Sequence, residues 1–278
     1  DEQTMRVDLN HPLARYPFRV TCRLEQVLPG SDRRGGRCSS PLEDLLRYPG
    51  LAAPVQDGLD TRFGDDENGM VRMDERDDRL FYSNSRFVPH LDVRALETVN
   101  ALYTRLLPGQ ADVLDLMASY DSHLQGCSLQ SLHVLGMNAM ELQANQAATA
   151  LLMQDLNEEQ GLPFADASLD AVVCTASVEY LLQPRRIFAE VLRVLRPGGV
   201  FVSTFSNRWF PTKAIRVWGE LHEFERVGMV VQWLQQTGFD RLHTFSSRGW
   251  PRPESDPHSA ETTVSDPVYA AWGFRPVE

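Results

Sequence analysis

Five short segments interrupt the apolar runs of this chain with groups that could do chemistry. They are Asp115 to His123, Gly136 to Glu141, Asp155-Leu156, Thr175 to Leu181 and Ser206 to Lys213. Each closes a short apolar stretch, so each stands where a strand would end. Ligands of open α/β sheets bind at those carboxyl ends. The spacing therefore predicts one ligand site at this edge. No G-x-G-x-x-G follows the first apolar stretch, which disfavours a dinucleotide. There is no G-x-x-x-x-G-K-[ST] for a nucleoside triphosphate and no G-x-S-x-G hydrolase elbow. No His/Cys/Asp/Glu group has metal-ligand spacing, so no metal is expected.

The elements that must carry these segments can be read from period and punctuation. ADVLDLM (111–117), SLHVLGMN (131–138), TALLMQDL (149–156), LDAVVCTAS (169–177) and GVFVSTFS (199–206) read as strands. LDVRALETVNALYTRLL aligns Leu96, Val99, Tyr103 and Leu106 on one helical face before Pro108-Gly109 stops it. AMELQANQAA reads as a helix with Asn138 as its N-cap. RRIFAEVLRVL reads as another, ended by a glycine cap in RPGG (196–199). Short strands alternating with helices predict a doubly wound α/β sheet. After the helix at 225–238, FDRLHTFSS and PVYAAWGFRP predict a closing antiparallel pair. Upstream, residues 1–88 are rich in Pro, Gly, Arg and Asp and read as a smaller mixed strand/loop annex, with strands expected in PFRVTCRLEQVL (17–28). Residues 89–278 form the main domain.

The chain has 278 residues, 42% hydrophobic, with a net charge of −11. That length is ample for a full core. The acidic balance argues against nucleic acid or a membrane surface as partner. No signal peptide or membrane-length apolar run is visible. Cys22, Cys38, Cys127 and Cys174 are scattered, which fits reduced thiols and a cytoplasmic setting. Lys213 is the only lysine among 27 basic residues.

VLDL (113–116), VLGMN (134–138), QDLNEEQGLPFADASLDAVVC (154–174), EVLRVLRPGGVF (190–201) and FSNRWFPTKAI (205–215) together resemble a class I S-adenosylmethionine-dependent methyltransferase of the type 11 kind, over roughly residues 90–245. The resemblance implies a seven-stranded sheet of order 3-2-1-4-5-7-6 with its last strand antiparallel. It implies methyl transfer from S-adenosyl-L-methionine to a small-molecule acceptor. A non-catalytic regulatory or interaction module on the same fold is the alternative.

The family's first motif is an acidic residue before a glycine-rich turn. Asp115 matches the acid, but Met117-Ala118-Ser119-Tyr120 stand where glycines would be, and only glycine takes positive φ freely. The family's ribose-binding acid corresponds to Asn138, followed by Ala139. Asp155 matches the acid that meets the adenine amino group, with Leu156 against the ring. Ser119 and Thr175 complete the cofactor set the resemblance implies. His123, Glu179 and Tyr180 are the candidates for a general base. Asn207, Arg208, Trp209 and Lys213 are placed at the substrate, with Arg208 and Lys213 suited to an anionic acceptor. The annex is expected to cover the site or to make a homodimer.

Overall fold

The computed structural model describes residues 51–54, 67–159, 161–257, 259–260 and 262–277. The expected strands in 17–28, with Cys22 and Cys38, lie outside them. Five strands run parallel: β2 (Ala111–Leu116), β3 (Leu129–Gly136), β4 (Ala150–Met153), β5 (Leu169–Thr175) and β6 (Leu195–Phe205). β7 (Asp240–Ser247) and β8 (Val268–Phe274) close the sheet, β8 being antiparallel to both β6 and β7. Counted from β2, the order is 3-2-1-4-5-7-6, as the resemblance implies. The annex adds one strand that the sequence reading missed: β1 (Leu51–Pro54) pairs antiparallel with β7 at the sheet's edge.

The alternation of side chains along each strand divides the core in two. Leu114, Leu116, Val172 and Cys174 face one side, under Ile187, Phe188 and Val191 of α4 (Pro184–Val194) and Val230 and Trp233 of α6 (Glu223–Thr237). Val113, Ala171 and Val173 face the other, under Val99, Leu102 and Tyr103 of α2 (Val93–Leu106). Burial on both faces is what a central parallel strand requires. Asp92 caps α2 by accepting from Ala95 N at 2.8 Å. His222 caps α6 in a capping box with Glu225.

The RPGG segment is not a helix cap. α4 ends at Val194, and Leu195 already pairs with Leu169 as the first residue of β6. Pro197 cannot continue a helix, and Gly198, at φ +81°, bends the chain into the strand instead.

Candidate functional site

The strand ends supply the floor of one cavity of about 510 Å³, within the usual range for a small-molecule pocket. Asp115 ends β2, and Gly136 to Asn138 follow β3. Gln154 to Asn157 follow β4, and Thr175 to Ser177 follow β5. Arg208, Trp209 and Phe210 come from the loop after β6. The annex supplies a further wall through Asp78, Tyr82, Arg86 and Val88 to Leu91.

Asp115 is buried, and desolvation pushes its carboxyl up to about 7. Burial also raises Asp155, whose Oδ1 accepts from Asn157 N at 2.9 Å. Burial thus raises two carboxyl groups at the ends of β2 and β4, one on either side of β3, and a cationic ligand would favour their charged form.

The turn after β2 shows how a chain can do without the expected glycines. Met117 adopts φ +60°, the left-handed conformation that glycine takes freely. Ala118 N then donates to Leu135 O at 2.7 Å and draws the turn onto β3. Close approach is met from the other side, because a β-carbon on Gly136 would run into the Ala118 carbonyl oxygen. The strain of the turn sits on Met117.

Asn138 fills the N-cap position expected of it. Its Oδ1 accepts from Met140 N and Glu141 N of α3 (Ala139–Ala144). The same side chain also grips the annex: Nδ2 donates to Tyr82 O at 2.8 Å, and Ser85 Oγ donates to Oδ1 at 3.0 Å. Glu141, the last residue of the Gly136 to Glu141 segment, accepts from Arg86 N at 2.7 Å and from Ser119 Oγ at 2.6 Å. These contacts strap residues 82–86 across the start of α3.

Of the expected site residues, Asp115, Met117, Ser119, His123, Asn138, Asp155, Leu156, Thr175, Tyr180, Arg208 and Trp209 line the cavity. Thr175 Oγ1 lies 2.6 Å from Tyr103 Oη. His123 sits at φ +55° with Nδ1 3.5 Å from Asp121. Tyr180 accepts from Phe210 N at 2.9 Å and stacks on its ring, so it is a wall of the site and a poor base.

Four expectations are corrected. Ala139 and Asn207 are exposed outside the cavity, because Ala139 starts α3 on its outer face and Asn207 turns outward after β6. Glu179 is fully buried within the turn Val178–Tyr180 and does not line the cavity. Burial raises its carboxyl to about 8, and neither oxygen has a hydrogen-bond partner among the described residues. Lys213 is also fully buried. Its Nζ donates to Asp74 O at 3.1 Å and Arg76 O at 2.8 Å, and it pairs with Asp78 at 2.9 Å. It ties the annex down and does not reach the cavity. The cavity residues that sequence reasoning did not name as site residues include Asp78, Tyr82 and Arg86 of the annex together with His90, Glu141 and Asn157 of the main domain. The aromatic content of FYSNSRFVPH hinted that this segment packs, without showing against what.

Residues 114–203 match the family described as a methyltransferase domain. The chain has a methyltransferase-like α/β fold. Four of the site segments fall inside the match, and the cofactor it implies is S-adenosylmethionine. A probable S-adenosylmethionine-dependent methyltransferase of Mycolicibacterium smegmatis is 47% identical over 47 residues, 17% of this chain and 18% of the relative. The demethylmenaquinone methyltransferase of Renibacterium salmoninarum is 44% identical over 50 residues, 18% of this chain and 21% of the relative. The matched stretches thus span about a fifth of these curated relatives. Among solved structures, an S-adenosylmethionine-dependent methyltransferase of Thermotoga maritima is similar at a TM-score of 0.47 and 12% identity, over 65% of this chain and 89% of that one. Among the described residues, no helix of the methyltransferase domain or annex is long and apolar enough to cross a membrane.

Proposed function

We propose that this chain transfers a methyl group from S-adenosylmethionine to a small anionic acceptor. The observation that carries the reading is the first-motif turn. Met117 takes a glycine-like φ beside buried Asp115, and Gly136 keeps the backbone approach open, so the cofactor's place is preserved without the glycines. Asp115, Met117, Ser119, Asp155, Leu156 and Thr175 would hold the cofactor, which supplies an electrophilic methyl group when bound. Asn138 serves mainly to fix the annex, since its amide is already occupied. The chain's own task is positioning. The methyl donor and acceptor must meet in line, and a cavity walled by the annex keeps them together and water out.

Arg208 supports an anionic acceptor. It lines the cavity, is about half exposed, and its nearest carboxylate, Asp266, stands 3.7 Å away. Arg86 lies across the Phe81 and Phe210 rings beside it. Lys213 has no part in this.

Calorimetric titration with S-adenosylmethionine and S-adenosylhomocysteine is the test. Binding of both is expected. No heat at millimolar ligand would sink the enzyme reading and leave the non-catalytic module, which a strained turn and a preoccupied Asn138 would then explain.

A further inference from the structure

We propose that His90, just past the annex strap, is the base that takes the proton of the methyl acceptor, so that the acceptor is a protic group such as a hydroxyl or thiol. This rests on the methyltransferase reading above. His90 lines the cavity and is exposed, and among the described residues no hydrogen bond holds either ring nitrogen. One aromatic contact orients its ring. It stands edge-on to Phe210, with centroids 5.6 Å apart at 84°, and Phe210 in turn stacks on Tyr180. That contact places the imidazole beside the loop after β6, within the electrostatic reach of Glu141 at the start of α3.

The charged groups around it come from every side of the cavity. Glu141 of α3 favours the imidazolium, while Arg86 of the strap, His123 of the turn after β2 and Arg208 of the loop after β6 oppose it. Burial against the surrounding protein comes first among the causes, and together they hold His90 below the ordinary histidine range. Neutral imidazole with a free lone pair is the form a base needs. Of the other candidates, His123 faces Asp121 with Nδ1 at 3.5 Å, Tyr180 accepts from Phe210 N, and Glu179 lies outside the cavity.

The step balances within these groups. As the acceptor oxygen or sulfur bonds to the methyl carbon, the carbon–sulfur pair stays with the departing thioether and the acceptor's proton passes to His90. The imidazolium then returns the proton to solvent. Arg86 and Arg208, next to that imidazolium, favour rapid loss of the proton.

The experiment has two arms on the full chain. Diethyl pyrocarbonate labels unprotonated imidazoles, and peptide mass spectrometry reads each histidine separately. His90 is expected to label with a half-maximum below pH 6.5, at a rate changed less than about threefold by S-adenosylhomocysteine. Shielding of tenfold or more would make it a cofactor contact and overturn the proposal, as would a half-maximum above pH 6.5. In the second arm, S-adenosylhomocysteine release is followed with a panel of small phenols, thiols and carboxylates. For those methylated, His90→Gln should lower kcat by about 10²–10⁴-fold, leave KM within about threefold and remove the acidic limb of the pH profile. Wild-type turnover in the variant overturns the proposal. If the panel yields no product, the labelling arm decides. Failure of S-adenosylhomocysteine to bind at all counts against the methyltransferase reading and not against His90 as a free base.

Discussion

Lys213 Nζ lies 2.9 Å from a carboxylate oxygen of Asp78, and both side chains are buried. Burial alone would raise Asp78, but Arg72, Lys213 and Asn157 outweigh it and hold the carboxyl below its ordinary range. The pair joins the loop after β6 to α1 (Asp78–Tyr82) of the annex.

Lys213→Met should therefore act on stability and not on substrate affinity. It leaves Asp78 and two backbone carbonyls short of a partner, a loss of about 3–5 kcal/mol for a broken buried pair. Urea unfolding measures it. A variant of wild-type midpoint would show that the pair contributes nothing. Lys213→Arg should rescue little, because a flat guanidinium does not fit a site built around a compact ammonium.

Glu179→Gln should change how stability depends on pH. The folded carboxyl titrates near 8 and the unfolded one near 4.3, so between these values the native state holds a proton that the unfolded state has lost. The stability this confers is complete below about pH 4 and is lost as pH rises toward 8. Glutamine has no such loss. Unfolding midpoints at pH 5, 6, 7 and 8 should show the variant gaining steadily on the wild type, and parallel curves would refute the assignment.

Cofactor affinity should rise with pH. Asp115 titrates near 7, and a cation arriving beside it favours the carboxylate, so at pH 6 binding must first expel a proton. Calorimetry with S-adenosylmethionine should show tighter binding from pH 6 to 8, with proton release at the lower pH. Asp115→Asn should bind more weakly and without that slope.

Met117 offers a test of strain. Its φ of +60° costs a non-glycine residue roughly 1–2 kcal/mol. Met117→Gly relieves that cost and gives up the packing of a partly buried side chain on the core, so its stability should stay within about 1 kcal/mol of wild type. Met117→Val, β-branched at the same φ, should lose more than Met117→Gly. The reverse order in thermal unfolding would mean that strain does not govern this turn.

Asn138→Asp restores the acid the family carries but removes the Nδ2 donor to Tyr82 O and Ser83 O. Amide hydrogen exchange across residues 80–88 should speed up while the core strands stay protected. An unchanged strap would show that it is held from elsewhere.

Much of this protein was legible in its residues. The alternation of apolar runs with helical periods predicted a doubly wound parallel sheet, because each parallel strand must be buried on both faces and each crossover helix must cover one; the strand order came only from the family resemblance. The polar interruptions at the strand ends located the cavity floor, with Asp115, Asn138 and Asp155 on it. The RPGG turn misled, since α4 ends at Val194 and β6 is already paired at Leu195, so the turn lies inside the strand and caps no helix. The roles of Lys213 and Glu179 could not be read at all. Their neighbours in sequence place both near the site, and whether a charge faces a cavity or a core depends on what packs over it. That covering is the annex strap, whose contacts to Asn138, Glu141 and Phe210 join positions more than 50 residues apart. Local periodicity carries no information about such pairings; only the tertiary structure, which brings residues 82–91 over the ends of the sheet, decided which side chains share the site.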